Sequence, residues 1–160
     1  KTQEKIKLTI YGSPLTIKDE IYENYLQNLI MESNLQDSIK ILPAVNHKDL
    51  HNFYENHNIY LNFSETALDK AVLEAMSTGI PVLSCNECLA EIITDKRMKK
   101  LMYFDKKDDF KVLSKKVKIL INLEKEEVLK NSLSAHNLIK SNHSIEKLTS
   151  IIVDKMYKDS

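Results

Sequence analysis

Residues 62–84 read NFSETALDKAVLEAMSTGIPVLS, and their pattern sets the architecture of the chain. The β-rich run 59–63 (IYLNF) ends a strand at Phe63, a polar stretch follows at 64–66, and from Leu68 the apolar residues switch to helical spacing. At 100° per residue, Leu68, Ala71, Val72, Ala75 and Met76 share one face, while Lys70, Glu74, Ser77 and Thr78 fall on the other. Gly79 stands where a helix closes in the left-handed conformation. Pro81 is tolerated as the first residue of the next strand, 81–84. Two strands joined by a single crossover helix run parallel.

The same alternation extends in both directions. Residues 6–11 (IKLTIY) read as a strand that stops at Gly12, Ser13 and Pro14. Residues 19–32 carry Ile21, Tyr22, Tyr25, Leu26, Leu29 and Ile30 at helical spacing, with Thr16 and Asp19 as a start signal. Residues 38–42 (SIKIL) form a strand stopped by Pro43, and 47–57 a short helix with Leu50, Phe53 and Tyr54 inward. Downstream, 101–104 reads as a fifth strand. Phe110, Leu113, Val117, Leu120 and Ile121 stripe a helix, and 124–140 and 144–158 close the chain as two more. The expected fold is therefore α/β: a doubly wound, Rossmann-like parallel sheet of about five strands with helices on both faces. Nothing resembling a linker or repeat divides residues 1–160, which read as one domain.

Composition narrows the class. With 42% hydrophobic and 29% charged residues, the chain has the make-up of an ordinary globular domain. Lys plus Arg and Asp plus Glu both total 23, so no basic excess argues for nucleic acid as a partner. The basic cluster Lys96, Arg97, Lys99 and Lys100 reads as a solvated helix end or loop. No apolar run approaches the ~20 residues that span a bilayer, and no signal-peptide pattern opens the chain. Two cysteines are too few for a disulfide framework, and a reducing compartment is the default. Cys85 and Cys88 form a C-x-x-C without the further ligands that a zinc site needs. His47 and His51 lie four apart, yet no third ligand accompanies them. Both sets read as ordinary packing or surface residues, and no metal is expected.

In a doubly wound sheet, ligands bind at the carboxyl ends of the strands, near helix N-termini. The loops at 12–15, 42–46, 64–69 and 84–90 are the candidates. The helix that begins near Leu68 presents unpaired N–H groups and a positive dipole end, which suit a diphosphate. Glu74, two turns in, is a carboxylate that can accept hydrogen bonds from a ribose diol. From spacing alone, however, an ordinary surface glutamate paired with Lys70 is the expected state.

The run LDKAVLEAMSTGIPVLS, 68–84, closely resembles the donor-binding signature of retaining GT-B glycosyltransferases of family 4. There a loop and a helix starting near the sugar are followed by E-A-M and G-x-P-V. The likeness reaches outward to 8–14 (LTIYGSP), 39–50, 91–93, 102–109 and 142–157, where it is generic rather than specific. This resemblance implies the donor-binding, C-terminal half of a GT-B fold, without the domain's usual first strand and helix or the N-terminal acceptor domain. It also implies retaining transfer of a hexose from a nucleotide-sugar, UDP-sugar first among the candidates, to a glycan or lipid-linked acceptor. The parent protein would be cytoplasmic, peripherally associated with a membrane face in polysaccharide biosynthesis, and would need no cofactor beyond the donor itself. Glu74 would be the second glutamate of the family's paired motif and bind the ribose. Ala67, Leu68 and Asp69 would hold the diphosphate and sugar, Ala44 and Val45 would meet the base, and Gly12 and Ser13 would let the backbone approach the donor.

Two departures from the family pattern stand out. The first glutamate of the motif belongs eight positions before the second, where this chain has Thr66; Glu65 is nine before. Either Glu65 or the Thr66 hydroxyl takes the catalytic place, or the sugar is gripped differently, as in members with a T-G-x-L-D-K loop. The family's arginine and lysine for the diphosphate belong to the strand and loop that would precede Ile6, and isolated residues 1–160 are expected to be inactive. A non-catalytic α/β ligand-binding or interaction module is the alternative. A phosphoreceiver version of it would want an acidic cluster at the strand ends, where the chain has Gly12, Pro43, Ser64 and Ser84.

Overall fold

The computed structural model describes residues 6–65 and 67–158, with backbone only at His47. It is a mixed α/β protein in two compact units that divide at Leu50 and His51.

In the first unit, β1 (Leu8–Tyr11) and β2 (Ile39–Leu42) pair in parallel, Leu8 opposite Ile39 and Tyr11 opposite Leu42. The crossover is α1 (Ile17–Glu32). Thr16 and Asp19 form the start signal expected of them. The Thr16 hydroxyl accepts from Asp19 N–H, and the Asp19 carboxylate accepts from Thr16 N–H at 2.9 Å. This reciprocal capping box satisfies donors that a helix end otherwise leaves open. Asn34, at φ 53°, takes the left-handed position after the helix. No described side chain from Ile6 to Leu50 is buried. Of the apolar stripe on α1, Leu26 and Ile30 are half-buried, while Ile21, Tyr22, Tyr25 and Leu29 stay exposed.

The second unit holds the core. After α2 (Leu50–Glu55), β3 (Tyr60–Asn62) and β4 (Val82–Ser84) pair in parallel around α3 (Lys70–Thr78). The face of α3 expected to point inward does so, with Val72, Ala75 and Met76 fully buried. Gly79 closes the helix at φ 83°. Then come α4 (Glu87–Ile92), α5 (Lys96–Met102), α6 (Phe110–Ile121), α7 (Lys125–Asn142) and α8 (Ile145–Lys158). Leu83, Cys85, Phe104 and Leu120 form one buried cluster, with Leu61, Leu113 and Val117 packed against it.

Two expectations change. Residues 101–104 do not form a strand: Asp95 caps α5 through Met98 N–H at 2.7 Å, and the helix runs to Met102. What survives is one parallel bridge from Tyr103 to Ser84, with Phe104 N–H on Ser84 C=O at 3.1 Å. The cap and the helix-forming run KRMKKLM outweigh a short apolar stretch. The described strands accordingly form two parallel ladders, β1–β2 and β3–β4, rather than one five-stranded sheet. The basic cluster lies on α5, where Arg97 pairs with Glu127 of α7. His143 follows the last residue of α7, its N–H on Ile139 C=O at 2.8 Å.

Candidate functional site

The loop from β3 to α3 is held by a chain of buried polar side chains. Asn62, the last residue of β3, is nearly buried, and Ser84 and Asn86 are completely so. The Ser84 hydroxyl accepts from Asn86 N–H at 3.0 Å and donates to Asn62 Oδ1 at 2.9 Å. Asn62 Nδ2 then donates to Asp69 Oδ2 at 3.0 Å, and Asp69 Oδ1 caps α3 through Ala71 N–H at 3.0 Å. Asn86 Oδ1 caps α4 through Leu89 N–H at 3.0 Å, while its Nδ2 donates to Ser64 C=O and Ala67 C=O at 3.2 and 3.4 Å. Among the described residues, no buried side-chain nitrogen or oxygen lacks a partner. That is the condition under which a buried polar network rigidifies a fold instead of weakening it.

Beside this loop lies an open cleft of about 300 Å³, lined among others by Phe63, Glu65, Cys85, Phe104, Lys106 and Phe110. Its volume is at the small end of the range for small-molecule sites. Phe63 meets Phe104 edge-on, ring centres 5.6 Å apart. Glu65 Oε2 pairs with Lys106 Nζ at 2.9 Å, both side chains about half exposed. That hydrogen bond, and then the carboxylate's charge, hold the Lys106 ammonium above its ordinary pKa. Burial pushes the Cys85 thiol up, which leaves it a packing residue rather than a nucleophile.

Farther along α3, Glu74 pairs with Lys70 at 3.3 Å, the contact that spacing alone predicts. The two ends differ in surroundings: the Lys70 side chain is 78% exposed and that of Glu74 only 26%. Tyr54 of α2, itself buried, donates to Ala71 C=O at 3.3 Å. Its burial, followed by the neighbouring Tyr60, Glu74 and Asp69, pushes its phenol up to about 12.

The site residues named from sequence fall into three groups. Gly12, Ser13 and Ala44 come together in the first unit: Gly12 N–H donates to Leu42 C=O at 3.1 Å, and Ala44 N–H to the Ser13 hydroxyl at 3.2 Å. A Cβ at Gly12 would meet nothing within 4 Å, so the space over that glycine is open. Val45 follows, half-buried. In the second unit Glu65, Ala67, Leu68 and Asp69 share the loop just described, and Glu74 stands on the helix behind it. Thr66 lies outside the described residues. His51 pairs with Glu55 at 3.1 Å. Among the described residues, no group of three His, Cys, Asp or Glu side chains could hold a metal ion.

Sequence reasoning missed Asn62, Ser84, Asn86 and Lys106. A usable signal existed for Asn86: an asparagine just past a strand and three residues before Leu89 is a helix-cap pattern. For Asn62 and Lys106 the partners lie across the fold, and no local pattern marks them.

The family model for glycosyl transferases group 1 matches residues 1–142. The chain belongs to that family. No curated protein and no solved structure matches it. In parallel α/β sheets ligands are met at the carboxyl ends of the strands, and both groups of predicted residues in the described loops lie at such ends. Glycosyl transfer is the chemistry that membership supports. Asp69 qualifies the diphosphate reading of α3: its carboxylate already occupies the Ala71 N–H and puts a negative charge at the helix end.

Proposed function

We propose that this chain is the donor-binding part of a retaining GT-B glycosyltransferase that moves a hexose from a nucleotide-sugar to a glycan or lipid-linked acceptor. The observation that carries the reading is the loop 64–69, in a group 1 family member, fixed at the carboxyl ends of β3 and β4 beside an open cleft. In this reading Ala67 and Leu68 meet the diphosphate, and Lys106 supplies a cation near it. Glu74 accepts from the ribose hydroxyls, and Gly12, Ser13, Ala44 and Val45 form the part that meets the base. Glu65 or Thr66 handles the reacting sugar. UDP-sugar is the first donor to try. Retention of configuration is supported by the resemblance of 68–84 to family 4 sequences, and the same resemblance supports a parent acting at the cytoplasmic face of a membrane. No described helix is long and apolar enough to cross one.

Amide-shift mapping with UDP tests this. Shifts should gather at 12–13, 44–45, 65–69, 74 and 104–106. Shifts confined to α6, α7 and α8 would remove the site from the strand ends.

A further inference from the structure

We infer that Asn86 is the positioning residue for Ser64 and Ala67, holding both ready for the ligand that the preceding reading places beside them. The argument starts with hydrogen-bond direction. Leu89 N–H can only donate, so Asn86 must turn Oδ1 toward it, and its amide Nδ2 is thereby aimed at the loop. There it meets the carbonyls of Ser64 and Ala67, which bracket Glu65 and Thr66. The Asn86 backbone N–H can also only donate, so the Ser84 oxygen accepts there. At the other end the Asp69 carboxylate only accepts, so Asn62 turns Nδ2 toward it and Oδ1 toward the Ser84 hydroxyl, which donates. The directions are fixed from both ends, by Asn86 and by Asp69, and the chain reaches the loop 64–69 near its start and at its end.

Asparagine is the side chain that meets this demand at full burial. Aspartate caps α4 as well but has no donor for the two carbonyls. Serine caps α4 and is too short to reach them. Both substitutions therefore keep the cap and cut the latch, which separates the positioning role from a general structural one.

Amide hydrogen exchange on the full chain reads the latch without any ligand. In Asn86→Asp, loop amides at 64–68 should exchange roughly tenfold faster or more, the size expected from losing two hydrogen bonds. Leu89 N–H should stay protected, and so should the amides of β3 and β4. UDP affinity, by titration, should fall about tenfold alongside. Should Asn86→Asp fail to fold, Asn86→Ser makes the same test. Unchanged loop exchange, or exchange rising equally through β3, β4 and α4, would overturn the latch. Faster loop exchange with unaltered UDP affinity would overturn its bearing on the ligand. If the unaltered chain binds no UDP, the reading of the function fails, and the exchange result still decides the latch by itself.

Discussion

Glu74 pairs with Lys70 at 3.3 Å, and a pair four apart on a helix contributes only about 0.2–0.5 kcal/mol. A carboxylate accepting from a ribose diol makes charge-assisted contacts worth roughly 1.5–3 kcal/mol. The pair leaves the second carboxylate oxygen available, so the two roles are compatible. Glu74→Ala is therefore expected to weaken UDP binding about ten- to a hundredfold by titration, with little change in the melting curve, since alanine is a good helix former. Unchanged affinity would leave Glu74 as the partner of Lys70 and nothing more. Glu65 shows what a sequence can and cannot disclose at this scale. The mismatch between its position and the family's first glutamate is visible in the string of letters. Its pairing with Lys106, 41 residues away, is not, because it depends on where the chain turns after Tyr103.

At the scale of elements, local chemistry was legible wherever it acts within a few residues. The capping box at Thr16 and Asp19, the inward face of α3 and the left-handed close at Gly79 are all readable from spacing. The fifth strand was not: 101–104 is apolar enough for a strand, but the upstream cap at Asp95 commits the chain to helix. The buried network of Asn62, Ser84 and Asn86 was missed for the opposite reason, since its members are polar, and only the fold reveals that they are buried. Two predictions belong here. Gly79→Ala forces a Cβ into a φ of 83° and to 3.2 Å from the Ser132 Cβ. It should lower stability in urea unfolding by about 1–2 kcal/mol; an unchanged midpoint would mean that α3 can end another way. The hydrogen bond from the Thr16 hydroxyl, followed by that from Leu15 N–H, holds the Asp19 carboxyl below its ordinary 3.8. A lowered folded pKa stabilises above the unfolded value and loses that contribution as pH falls through the folded one. Protection factors of α1 amides should accordingly be level at neutral pH and fall once the pH drops below 3.8. A decline beginning well above that value would point to some other group.

Among the described residues, every buried one lies in the second unit, and the first unit is a two-stranded ladder under one helix. Two strands and a helix bury too little to be firmly stable alone. Group 1 membership supports glycosyl transfer as the chemistry, but transfer needs an acceptor aligned with the donor and water excluded from the reacting centre. Residues 1–160 are proposed to supply only the donor side, so they should show no sugar transfer from UDP-sugars to added glycan acceptors; turnover would refute this division of labour. What these residues must do is bind the nucleotide. Isothermal titration of the chain with UDP, in EDTA and again in magnesium, tests that claim most directly. The account predicts saturable one-to-one binding of similar affinity in both, lost in Glu74→Ala. No binding in either buffer, or binding only with magnesium, would contradict it.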